Sequence, residues 1–138
     1  MKKQLVATIL AIGLIFSINE SMKANNPKGN DLLTGRWELC NPDGKPTGNP
    51  QVRQKVYVKN SYVVLEVDKS NNTTFIDFVG TITYQDKDSL TETPIYTNPG
   101  IKHMLSQNFK FSYRIEGQYL YLRGSNNSFN ETWIKVSD

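Results

Sequence analysis

Across residues 109–115 apolar and polar side chains alternate without a break: Phe109, Phe111, Tyr113 and Ile115 are separated by Lys110, Ser112 and Arg114. Successive side chains of a strand point to opposite faces, so a two-residue period specifies a strand with one buried face. Similar segments recur beyond residue 33. Stretches rich in Val, Ile, Thr, Tyr and Phe are parted by clusters of Asn, Asp, Gly, Pro and Ser, and no long segment has the three-and-four spacing of an amphipathic helix. Gly35–Cys40 ends at Asn41-Pro42-Asp43-Gly44, where proline and Asp-Gly force a turn. Residues 52–58 and 62–67 are parted by Lys59-Asn60-Ser61, and Lys69-Ser70-Asn71-Asn72 turns the chain again. Residues 73–79 and 81–85 flank Gly80, a place for a bulge or sharp bend. Residues 89–96 follow, then Asn98-Pro99-Gly100 and a segment, 101–108, where a helical turn or lid is expected. Glu116-Gly117 makes a hairpin into 119–123, and 129–136 is the last strand. Eight or nine short strands joined mostly by hairpin-length turns predict an all-β domain, a sandwich or a barrel closed on itself.

The amino-terminal residues follow other rules. Met1-Lys2-Lys3 and the apolar run 5–16, interrupted only by Thr8 and Gly13, have the pattern of a secretory signal peptide. The run is well short of the roughly 20 residues that span a bilayer, so cleavage between Ser17 and Ala24 is expected, with no stable membrane span after processing; retention of the run as an anchor is the alternative. The predicted organisation is a signal peptide over 1–24, a flexible linker over 25–32 and one domain over 33–138, located in the periplasm or secreted. Lys2, Lys3 and Lys23 leave with Glu20, which reduces the 16 basic and 13 acidic side chains to 13 and 12. No Lys/Arg block survives, and a nucleic-acid partner is not expected. A single cysteine forms no internal disulfide, and Cys40 is read as a small buried apolar residue.

Thr34-Gly35-Arg36-Trp37 resembles the Gly-x-Trp signature that opens lipocalins, and Glu131-Thr132-Trp133-Ile134-Lys135-Val136 after Tyr119-Leu120-Tyr121-Leu122 resembles a lipocalin-like family of secreted proteins from Bacteroides-type gut bacteria. The resemblance spans most of residues 33–138. It implies a small up-and-down antiparallel β-barrel, exported and without an established activity. Lipocalin disulfides and the other lipocalin signature segments are not evident here.

In such a barrel the first and last strands are neighbours, so Trp37 and Trp133 are expected to meet and seal one end, with Arg36 or Lys135 across an indole face. Ordinary core filling is the alternative. Glu131 is expected to be drawn toward Arg36, Arg114 or Arg123, or to lie in solvent. An eight-stranded barrel is either just filled or holds one small molecule. Tyr57, Val64, Phe75, Tyr84, Phe111, Tyr113 and Tyr121 are the candidate inward wall for a small apolar or amphipathic ligand, with core packing as the other role for each. A second reading makes Tyr62, Tyr96, Tyr119 and the tryptophans an exposed platform for a glycan or protein.

An enzyme is not expected. His103 and Cys40, the only residues of their types, lie on segments without an evident link. Zinc spacing is absent, Asp86 and Asp88 read as turn formers, and no cofactor or metal is implied. Glu92 with Glu66 or Asp77 is the one candidate acid/base pair. Asn71-Asn72-Thr73, Asn126-Asn127-Ser128 and Asn130-Glu131-Thr132 match the N-glycosylation pattern but are natural as asparagine-rich turns. Asp88-Ser89-Leu90 resembles a short O-glycosylation motif of exported proteins of Bacteroides-type bacteria.

Overall fold

Hairpin-length connections leave most strands no partner nearer than the next one in sequence, and that is how they pair. The computed structural model describes residues 30–136. The expected export signal and residues 25–29 of the expected linker lie outside the described residues. A helical turn, α1 (Asn30–Leu33), begins inside the segment read as linker. The strands are β1 (Gly35–Cys40), β2 (Gln51–Val58), β3 (Ser61–Asp68), β4 (Thr73–Tyr84), β5 (Ser89–Thr97), β6 (Phe109–Glu116), β7 (Tyr119–Gly124) and β8 (Asn130–Val136). Each pairs antiparallel with its successor, and β8 returns to β1 in a register running from Arg36↔Val136 to Cys40↔Thr132. The result is a closed eight-stranded up-and-down barrel with no free sheet edge.

Two-residue turns hold the register. Lys59 (φ 52°) and Gly117 (φ 57°) take the left-handed conformation that tight hairpins require. Residues 73–84, expected as two strands around Gly80, form one strand with an irregularity at each of its two partners. On the β5 side Val79 faces Tyr96 while Gly80 faces Pro94, leaving Ile95 as the extra residue of a bulge. Gly80 is required there because Tyr62 lies across it. A Cβ at this position would overlap the Tyr62 ring and come within 2.6 Å of the Thr93 carbonyl oxygen. On the β3 side the register shifts between Val64 and Leu65, and Asp77 is the extra residue.

Residues directly opposite in a ladder share a face, so register identifies the interior. Trp37 faces Lys55 and Lys135, Tyr57 faces Tyr62, Val64 faces Phe78, Leu90 faces Phe111, and Leu120 faces Trp133. The end holding the β2–β3, β4–β5 and β6–β7 turns is packed. Leu33 of α1 is fully buried in it, the Trp37 indole Nε1 donates to the Leu33 carbonyl oxygen at 2.8 Å, and Leu90, Leu120 and Tyr113 fill the layer above. Lys135, not Arg36, caps Trp37: its Nζ lies 4.5 Å from the ring centroid and donates to the Thr34 carbonyl oxygen at 2.6 Å. Arg36 is exposed.

Gly80→Ala is expected to destabilise the barrel by about 1–3 kcal/mol, because overlap with a backbone oxygen is relieved only by moving the β4–β5 pairing. Denaturant unfolding checks this, with a lowered midpoint and an unchanged slope as the expected result.

Candidate functional site

The opposite end of the barrel is not filled. A cavity of 490 Å³ opens there, within the range of small-molecule sites. Its apolar wall is formed by Val64, Phe78, Phe109, Phe111, Phe129 and Trp133, with Tyr62 and Pro94 alongside. Ile101 and Met104 line it from a 3₁₀ segment, Pro99–Met104, and Asn98 from its cap; the segment overlaps the first half of the stretch, 101–108, expected to be a helical turn or lid. Asn98 caps this segment by accepting from the Gly100 N–H at 2.8 Å.

Two charged layers cross the cavity. The deeper one centres on Lys55, whose side chain is 5 % exposed. Its ammonium donates to both oxygens of Glu92, at 3.2 and 3.1 Å, and lies 3.6 Å from Glu131. Tyr57 donates its hydroxyl to Glu92 at 2.5 Å, and the Trp133 Nε1 donates to Glu131 at 3.0 Å. The same ammonium is 5.0 Å from the Trp133 ring centroid and 5.7–5.8 Å from those of Phe111, Tyr57 and Tyr62. Burial opposes the Lys55 charge and is the largest single influence on it. The attraction of Glu92 and Glu131, with their hydrogen bonds, outweighs burial and holds the Lys55 pKa above its ordinary value. Tyr57 is pushed well up, first by burial and then by Glu92, and Tyr62 is raised for the same two reasons.

The outer layer centres on Arg53, which contacts Glu66 at 2.6 Å and Asp77 at 3.3 Å. Asn98 donates its side-chain amide to Asp77 at 2.6 Å and its backbone N–H to the Asp77 carbonyl oxygen at 2.9 Å, which ties the 3₁₀ segment to the rim. The bulge explains why a carboxylate points inward here. Asp77 and Phe78 are consecutive yet both line the cavity, because the extra residue breaks the alternation of β4. Partial burial is the main reason the Glu66 pKa is raised; Arg53 opposes the rise and the adjoining Asp77 adds to it.

The structure distributes the expected wall residues over five places. Phe111 and Val64 line the cavity. Tyr57 lies beneath it with its hydroxyl on Glu92, and Tyr84 and Tyr113 belong to the packed end, where the Tyr84 hydroxyl donates to the Lys59 carbonyl oxygen at 3.4 Å. Two corrections follow. Phe75 faces Glu66 and so shares the cavity's face, but it stands at the open rim beside the β3–β4 turn, 58 % exposed and outside the cavity lining. Tyr121 is on the outer face, opposite Arg114, whose guanidinium lies 4.8 Å from its ring, because the fully buried Leu120 and Leu122 take the inner face of β7. Trp37 and Trp133 share one core but occupy different levels, Trp37 under Lys135 and Trp133 against Lys55. Glu131 pairs with Lys55 and not with an arginine. Glu92 meets neither Glu66 nor Asp77 in a hydrogen bond, being engaged by Lys55 and Tyr57. Tyr62 and both tryptophans are buried, which removes them from an exposed platform; Tyr96 remains 51 % exposed. Cys40 is buried, donates to the Thr132 carbonyl oxygen at 3.2 Å, and has its pKa raised chiefly by that burial.

Lys55 and Arg53 are the functional residues that sequence reasoning missed, although the signal was there. Placing Tyr57 inward commits Lys55 and Arg53 to the same face by the two-residue period, as placing Val64 inward commits Tyr62 and Glu66. In comparisons with known proteins, no family model and no curated sequence matches the chain.

Buried tyrosines and Lys55 with raised pKa values contribute stability that is complete below their ordinary values, about 10, and is lost as pH rises through the folded values. Stability is therefore expected to fall above about pH 10, with tyrosinate absorbance from Tyr57 and Tyr62 emerging only as the barrel unfolds. Complete tyrosinate formation with native near-ultraviolet circular dichroism would contradict the burial of both rings.

Proposed function

We propose that this chain is an exported, lipocalin-like binding protein whose barrel holds one small amphipathic molecule. The observation that carries this reading is the cavity. It combines an aromatic wall with a few convergent polar groups, the composition by which ligand sites gain affinity from burial and orientation from polar contacts. The apolar body of the ligand lies against Phe78, Phe109 and Phe129, and its polar end reaches one of the two charged layers. The 3₁₀ segment closes over it from the rim, released or held through Asn98 and Asp77. The resemblance of residues 34–37 to the lipocalin signature, that of residues 131–136 to a lipocalin-like family of secreted proteins, and the apolar run 5–16 support a periplasmic or secreted carrier. Recognition of a glycan or protein by surface aromatics has less support, since it is left with few exposed rings.

A neutral, polarity-sensitive dye such as N-phenylnaphthylamine tests the reading. Binding with blue-shifted, enhanced emission at micromolar strength is expected. Val64→Phe, which places a ring in the cavity, should weaken it at least tenfold while the circular dichroism stays native. Absence of dye binding, or binding untouched by this substitution, would overturn the proposal.

A further inference from the structure

We propose, resting on the binding reading above, that the cavity selects a cationic head, an amine or quaternary ammonium on an apolar body, over a carboxylate of the same size. Six charged side chains line the cavity: four carboxylates and two cations. Both cations are already engaged, and each is shared between two acids. Lys55 sits between Glu92 and Glu131, and Arg53 between Glu66 and Asp77. Each layer therefore keeps one negative charge in excess. An anionic ligand would leave water without gaining a free positive partner, while standing beside carboxylates across a wall of low polarity that strengthens the repulsion. A cation meets the opposite field in both layers.

The rings point the same way. The negatively polarised face of an aromatic ring attracts a cation, and the Lys55 ammonium already sits among four such rings. The aromatic wall continues toward the rim through Phe129, whose centroid is 6.4 Å from that of Phe111 and 5.7 Å from that of Phe109. A second ammonium placed between the two acidic layers would meet ring surface and carboxylate together.

Three ligands with the same chain, decyltrimethylammonium, decanol and decanoate, separate head-group preference from binding as such. Each is titrated calorimetrically into the full folded protein below its micelle concentration. The ammonium is expected to bind at least tenfold more tightly than decanoate, with decanol between them. Glu66→Gln, at the half-exposed rim, and Glu131→Gln, in the deeper layer, should each narrow that gap several-fold while circular dichroism stays native. Decanoate binding as tightly as the ammonium would overturn the head-group preference and leave the binding reading intact. A preference unchanged in both variants would overturn its electrostatic origin. Binding of none of the three would overturn both readings.

Discussion

Moving an ammonium group out of water costs several kcal/mol even after the surroundings relax, and inside this barrel the cost is offset around one atom, the Nζ of Lys55. Two carboxylates, four ring faces and the hydroxyl that steadies Glu92 enclose it. The arrangement is stable only as a set. Removing the cation alone would strand the buried Glu92 and the part-buried Glu131, a loss of about 3–5 kcal/mol, which is a large fraction of what a domain of this size has to spare. The space above the Lys55 layer is open. The packed and hollow ends of the barrel meet at this layer.

Closure of the sheet makes the layer possible. Because β8 pairs with β1, Glu131 and Trp133 are brought beside Lys55 of β2, and Glu92 comes to it from β5 across the barrel. No local segment contains these partners. Two irregularities in the long strand β4 then shape the interior. Gly80 gives Tyr62 room to lie flat, and the Asp77 bulge turns a carboxylate and Phe78 inward together. At the sealed end the Leu33 carbonyl and the Lys135 ammonium both engage the Trp37 indole, so a short helical turn before β1 completes the core.

Much of this was legible in the sequence because its signals are local. Alternation marked the strands, Asn, Gly and Pro marked the turns, and the Lys59-Asn60 and Glu116-Gly117 hairpins paired neighbours. The residues alone left a sandwich and a barrel both open, since contact between the first and last strands depends on the twist and count of all the others. The interior was harder to read. Tyr119-Leu120-Tyr121-Leu122 offers an apolar residue to each face, and only pairing with β6 shows that the leucines turn inward. At β4 a single extra residue, Asp77, puts Phe78 on the same face as Phe75, which strict alternation from Phe75 would not do. In β2 the obstacle is chemical: Tyr57 reads as an inward residue, whereas nothing local marks Lys55 and Arg53, on the same face, as interior. Charged side chains in a barrel interior become plausible only when their carboxylate partners, distant in sequence, are seen beside them.

The caged charge of Lys55 is tested most directly by nuclear magnetic resonance of its side-chain ammonium group at neutral pH. A protonated group shielded from solvent exchange, with its Cε protons shifted upfield by the surrounding rings and the signal absent in Lys55→Met, is the expected result. A Lys55 signal with the shifts and exchange rate of a surface lysine would contradict the buried ion layer on which the account rests.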